Sequence, residues 1–236
     1  MYARGARAND DICLQVTEGE VVALLGHNGA GKTTLVNQVA GLAVPTSGRI
    51  RVAGHDPVAE PARARAIVSL MPQAHAPLAG VTPRQAITML ARIRGASRTE
   101  ARAEADGLLS VLDAQVWADT PGDRLSGGIR RLTAYGMTAA RAGRIMVLDE
   151  PTNDVDPVRR RLLWQDIAGR AAIGRAVLVV THNIGEAETY ADRVVILDAG
   201  RVVLQGIPAE LRATHAVGLE ELYPTLVGSG GRGEYA

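Results

Sequence analysis

The sequence predicts an α/β domain built on a mostly parallel sheet and interrupted by a helical insert. Three observations carry this. A glycine-rich loop, Gly26 to Thr33, follows the apolar run Val21 to Leu25 and precedes Thr34-Leu35-Val36, an order that reads strand, loop, helix. Three later runs, Ile145 to Leu148, Val177 to Val180 and Val194 to Leu197, are continuously apolar, as strands buried on both faces of a parallel sheet are. Between the loop and these runs, Thr82 to about Asp113 is helical in its periodicity.

In chain order, Gly48 to Val52 reads as an exposed strand after the turn Pro45-Thr46-Ser47, and Ala66 to Leu70 as a further strand. The texture changes after Gln73. Thr82-Pro83-Arg84-Gln85 places a cap residue, a proline at the first helical position and a glutamine at the third. Ser97 and Glu100 repeat the capping signal, and Ala101, Ala105, Leu108, Leu109 and Leu112 then share one helical face. Another helix follows Ser126. The chain thus reads as one domain over residues 1–228, with a helical subdomain at about 74–135 inserted in the α/β core, and a glycine-rich tail, 229–236, expected to be flexible.

Composition narrows the function. With 47% apolar and 22% charged residues, a chain of 236 residues buries a continuous core. A net charge of +1 lacks the basic footprint of a dedicated nucleic-acid binder, and the run Arg159-Arg160-Arg161 reads as a solvated helix face. A single cysteine, Cys13, rules out an internal disulfide framework and fits a reducing compartment. The first ten residues lack the apolar core of a signal peptide, and no apolar run approaches the roughly 20 residues of a spanning helix. Any membrane role is therefore expected to run through a partner.

Of the 26 Lys plus Arg residues only Lys32 is lysine. It sits in Gly26-His27-Asn28-Gly29-Ala30-Gly31-Lys32-Thr33, which matches G-x-x-x-x-G-K-[ST] in the required strand-to-helix context and predicts a P-loop NTPase. Glycines let the backbone N–H groups of Asn28, Gly29, Ala30, Gly31, Lys32, Thr33 and Thr34 curl around phosphates at a helix N-terminus, where the dipole favours anions. Lys32 is expected to reach the β- and γ-phosphates of ATP as a compact point charge, and the Thr33 hydroxyl to ligate Mg²⁺. A planar guanidinium is bulkier and differently directed, which accounts for the one lysine in an arginine-rich chain.

The run Ile145 to Leu148 ends in Asp149 and Glu150. Ligands collect at the carboxyl ends of strands in such sheets, so both acids are expected to face the phosphate loop. Asp149 is placed to bind Mg²⁺, and Glu150 to orient or deprotonate the attacking water.

Leu125-Ser126-Gly127-Gly128 lies between these motifs, and with it the chain resembles the ATP-binding cassette ATPases over nearly its whole length, from Tyr2 to about Leu226. The resemblance implies a small antiparallel β subdomain beside the mostly parallel core sheet. It makes Tyr2 a stacking residue for adenine, Gln73 the Q-loop glutamine that touches Mg²⁺ and the attacking water, Asn153-Asp154-Val155-Asp156 the D-loop, and His182 the switch histidine. Ser126 and the amides of Gly127 and Gly128 become a second anion site at a helix N-terminus. It also implies a head-to-tail dimer, of two copies or of this chain with a related subunit, in which each ATP lies between Lys32 of one copy and Ser126 of the other. A separate transmembrane permease is the implied partner, nucleic acid is not, and the implied location is the cytoplasmic face of a membrane.

Some residues depart from the family pattern. The position after Gly128, often glutamine, is Ile129, followed by Arg130-Arg131, which resembles the drug-export branch typified by daunorubicin exporters. The sequence EPTN, the stretch PVRRRLLW after Asp156 and the segment GLEEL point the same way, toward export of a drug-like or lipophilic substrate. The alternatives are an importer subunit and a soluble cassette ATPase uncoupled from transport. A non-hydrolytic subunit is disfavoured because Lys32, Asp149, Glu150 and His182 are all intact, and a GTPase because an NKxD motif needs a second lysine. The D-loop reads NDVD where NGLD or SALD is usual. Starting at Tyr2 leaves no room for the family's first strand, so either the sheet is one strand short or the start lies upstream.

Overall fold

The computed structural model describes residues 7–74 and 78–227. Tyr2 and the predicted tail at 229–236 lie outside the described residues.

Among the described residues, five parallel strands and one antiparallel strand form a single sheet. The first strand, β1 (Val21–Leu25), leads through the glycine loop into helix α1 (Lys32–Val39), as the sequence predicts. Helix α2 (Pro61–Ile67) runs into β2 (Val68–Met71), and α3 (Pro83–Ile93), α4 (Arg98–Val111) and α5 (Gly127–Ala139) follow. The chain returns to the sheet in β3 (Ile145–Asp149), crosses α6 (Pro157–Ala172) to β4 (Ala176–Val180), and crosses α7 (Ile184–Tyr190) to β5 (Arg193–Asp198). A tight turn then gives the edge strand β6 (Arg201–Gly206), followed by α8 (Pro208–His215) and α9 (Leu219–Val227). The spatial order is β2-β3-β4-β1-β5-β6, with only β5 and β6 antiparallel.

Alternation along the strands sorts the core into layers, because successive side chains point to opposite faces. Val22 and Leu24 of β1, Val147 of β3, Leu178 and Val180 of β4 and Leu197 of β5 pack with Leu35 and Val36 of α1 on one face. On the other, Met71, Met146, Leu148, Val177 and Val179 join a cluster that continues through Ile87, Leu109, Leu132, Tyr135 and Trp164. The helical insert therefore shares one continuous core with the sheet. Its predicted end at residue 135 falls inside α5, whose last turns to Ala139 cover the sheet.

Both predicted capping boxes form. The Thr82 and Ser97 side chains accept from the amides of Gln85 and Glu100, whose own side chains accept from the cap amides. The predicted face, Ala101, Ala105, Leu108, Leu109 and Leu112, is buried throughout.

Three expectations are corrected. Gly48 to Val52 forms no strand: Val52 and His55 exchange a single pair of hydrogen bonds, 2.8 and 3.0 Å, around Ala53 and Gly54 in left-handed conformations. A ladder needs a partner, and the nearby extended segment with Ile12, Leu14 and Val16 packs its side chains on the core without pairing as a strand. The antiparallel part of the described fold is thus β6 and this one bridge. Ala66 to Leu70 divides into the end of α2 and the start of β2, because Pro61 opens a helix that runs to Ile67. The run Arg159-Arg160-Arg161 is not simply solvated: Arg159 lies over the Trp117 ring at 4.6 Å and pairs with Asp113 at 2.7 Å, and Arg160 pairs with Glu186 at 3.0 Å.

Candidate active site

The sheet order sets β4 between β1 and β3, so the loops leaving these three strands converge at one sheet end. The register locks them: Leu24 of β1 and Asp149 of β3 both pair with Val180 of β4. A cavity of about 600 Å³ opens there, lined by Asn28, Gly29, Gly31, Lys32, Thr33 and Thr34 from the loop and α1, by Gln73, by Asp149 and Glu150, and by Arg7 and Ala8.

The loop takes the shape its glycines permit. Gly26, Gly29 and Gly31 all have positive φ, and a Cβ at Gly31 meets the Ala8 carbonyl oxygen at 2.2 Å, so the N-terminal segment crosses the loop at a distance only glycine allows. Gly31 caps α1 in a left-handed conformation with no side-chain hydrogen bond, leaving an N-terminus suited to an anion. Lys32 Nζ donates to the Gly26 carbonyl at 2.5 Å and to the His27 carbonyl at 3.0 Å. Burial pulls its ammonium below the ordinary lysine value, against the opposing pull of Glu150 and Asp149. Ala30 does not line the cavity: its methyl is buried in the core and its amide is committed to His27 at 3.1 Å.

The acids are buried side by side. Burial pushes the Asp149 carboxyl above its ordinary value, and the Glu150 charge pushes it further, while Arg131 and Lys32 pull it back. Glu150 has φ 53°, a left-handed backbone that costs on the order of 1–3 kcal/mol in a non-glycine residue. Its amide donates to Val180 at 2.7 Å, and its Oε1 lies 2.9 Å from His182 Nδ1, just past the end of β4. The carbonyl end of this strained residue is held by Arg131, whose Nε donates to it at 2.7 Å.

For Mg²⁺ the fit is partial and chemically apt. Thr33, Gln73 and Asp149 bring a hydroxyl, an amide oxygen and a carboxylate to one cavity, the hard oxygen set that Mg²⁺ takes when phosphates and water complete its shell. Among the described residues no group of three His, Cys, Asp or Glu could hold a metal on its own.

Ser126, Gly127 and Gly128 lie elsewhere. Ser126 caps α5, accepting from the Ile129 amide at 3.4 Å, and the three residues are not among those lining the cavity. A Cβ at Gly128 meets the Asp154 carbonyl oxygen at 2.4 Å, so this helix start is packed against the loop that follows β3. The structure therefore brings together Lys32, Thr33, Gln73, Asp149, Glu150 and His182, and leaves the second anion site apart from them.

Residues outside the sequence reading also contribute. Arg7 and Ala8 reach the cavity without any motif to mark them. His27 places Nε2 2.8 Å from Asp198, at the end of β5, and so ties the loop to a fourth strand.

A family model described as ABC transporter matches residues 9–153. The chain belongs to the ABC transporter family. The cassette is 36% identical over 207 residues to the daunorubicin resistance ATP-binding protein DrrA3 of Streptomyces coeruleorubidus, covering 88% of this chain and 66% of that protein. To human phospholipid-transporting ATPase ABCA7 it is 34% identical over 217 residues, covering 91% of this chain and 10% of that protein. A solved ATP-binding subunit of an ABC transporter superposes with a TM-score of 0.82 at 26% identity, with 95% of each chain covered. The chain thus spans about a tenth of the human relative's length and about two thirds of the bacterial one's.

Proposed function

We propose that this cassette is the ATP-hydrolysing subunit of a membrane exporter and that it works as a head-to-tail pair. The observation that carries the reading is the division of the two anion sites. Lys32, Thr33, Asp149 and Glu150 share one cavity, while Ser126 and the Gly127 and Gly128 amides cap a different helix and do not line it. A second copy supplies the missing half most simply.

In this reading the phosphates of ATP settle on the start of α1, and Lys32 exchanges the Gly26 and His27 carbonyls for phosphate oxygens. Thr33, Gln73 and Asp149 would hold Mg²⁺, which would neutralise phosphate charge. Glu150 accepts a proton as the water oxygen bonds to the γ-phosphorus and the bond to the bridging oxygen breaks, and His182 holds the Glu150 carboxylate in place. Tyr2 stacks on adenine. Hydrolysis then removes the group that both copies grip, and the pair opens to move a separate permease.

Export of a drug-like or lipophilic cargo is supported by the likeness to a daunorubicin resistance protein and a phospholipid-transporting ATPase. No described helix is long and apolar enough to cross a membrane. The test is Glu150→Gln. Loss of turnover together with a stable ATP-dependent dimer in size-exclusion chromatography is expected; undiminished ATPase activity, or a protein that never pairs with ATP bound, sinks the reading.

A further inference from the structure

Arg131 is among the largest fully buried side chains, at 1% exposure, yet its hydrogen bonds go to backbone carbonyls. It projects from α5, one turn beyond Ser126. Its Nε donates to the Glu150 carbonyl at 2.7 Å and its Nη2 to the carbonyl of Asp149. Its Nη1 donates to the carbonyls of Pro72 and Gln73, both at 3.0 Å. One rigid fork thus joins the helix that begins at the second anion site to the main chain of three residues lining the nucleotide cavity, Gln73, Asp149 and Glu150.

The position of Glu150 gives this contact a purpose. Its backbone is left-handed at φ 53°, a conformation a non-glycine residue keeps only when its surroundings hold it. Its amide is anchored by Val180, and its carbonyl by Arg131. A lysine has no planar fork and cannot span four carbonyls in fixed directions. Leaving these carbonyls, the two on Asp149 and Glu150 buried and the two on Pro72 and Gln73 partly so, without their shared donor frees both loops to relax.

We propose that Arg131 is a positioning residue for hydrolysis: it holds the strained main chain of Glu150, tied to the Gln73 loop, so that the carboxylate is aimed into the nucleotide cavity. This rests on the reading of Glu150 as the group that takes the proton from water. Because the fork springs from α5, any tilt of that helix when its Ser126 end meets the partner copy's nucleotide reaches Glu150 through a single side chain.

The test compares Arg131→Met and Arg131→Lys in the full chain, with kcat and KM for ATP measured separately. Misaiming a catalytic group by about 1 Å costs about a hundredfold in rate, so Arg131→Met is expected to lose about that factor in kcat with KM for ATP unchanged. Arg131→Lys is expected to recover part of the loss. In the Glu150→Gln background, adding Arg131→Met is expected to slow single-turnover hydrolysis no further, since the guanidinium acts through Glu150. A folded Arg131→Met with the parent's kcat overturns the proposal. So does a loss of kcat and nucleotide affinity in parallel, or an additive loss in the double variant. If circular dichroism finds Arg131→Met unfolded, Arg131→Lys decides alone: lowered kcat at unchanged KM supports the role, and the parent's kcat refutes it. An active Glu150→Gln instead refutes the assignment of Glu150 itself, a result separable from a failure at Arg131.

Discussion

His182 Nδ1 lies 2.9 Å from Glu150 Oε1, with the ring 65% exposed and the carboxylate only 6% exposed. The histidine therefore covers an acid that is otherwise within the protein, and the pair sits where β4 and β3 end. Replacing His182 by alanine is expected to lower ATP turnover by about a hundredfold, the lower range for losing an aligned acid–base partner, while nucleotide affinity holds. Steady-state ATPase assays beside a nucleotide titration read both quantities, and an alanine variant with normal turnover counts against the contact.

Lys32 donates to two loop carbonyls in a pocket shaped for an ammonium. Lys32→Arg keeps the charge but replaces a compact donor by a wide planar one. We expect ATP binding to weaken by about 1.5–3 kcal/mol, the worth of a charge-assisted hydrogen bond, as read by calorimetric titration. Unchanged affinity refutes the idea that this position selects lysine for its shape.

Asp156 caps α6, its Oδ1 accepting from the amides of Val158 and Arg159, both at 3.1 Å. Burial pushes its carboxyl up, but the Arg159 amide and side chain and the Val158 amide outweigh this and hold it below the ordinary value near 3.8. A depressed folded value means the stabilisation is present above the unfolded value and is lost as pH falls through the folded one. Asp156→Ala is expected to cost about 1 kcal/mol in urea melts at pH 7, with the gap to the parent closing in acid. A gap that is constant with pH argues against a charged cap.

Two glycines on helices make opposite predictions. A Cβ at Gly128 meets the Asp154 carbonyl oxygen at 2.4 Å, whereas one at exposed Gly107 in α4 meets nothing within 4 Å. Gly128→Ala is expected to destabilise by about 1–3 kcal/mol through forced displacement of backbone. Gly107→Ala is expected to stabilise by about 0.4–1 kcal/mol through the unfolded state. Thermal melts of both variants decide the matter, and equal shifts contradict the packing.

What the sequence discloses depends on how local the cause is. The capping boxes at Thr82 and Ser97 are written within four residues and form as read. β1, β3, β4 and β5 are legible because strands covered on both faces are apolar without interruption. The phosphate loop and the acid pair are legible because their spacing is itself the chemistry. β6 escapes notice for the opposite reason: it alternates between exposed and half-buried residues, and its turn puts Ala199 at φ 45°, where alanine is no turn signal. Gly48 to Val52 has strand composition but no partner, a fact held elsewhere in the chain. Arg131 is hidden most thoroughly, because arginine beside Arg130 reads as surface, and its partners Pro72 and Gln73 lie 59 and 58 residues away.

The register joining β1, β4 and β3 has a mechanical corollary. Backbone ladders on either side of β4 fix the spacing between the roots of Lys32, His182 and Glu150, so these groups move as one stiff plate. Control over firing cannot come from stretching that plate. It is left to side-chain rotation at its rim and to whatever presses on it from outside.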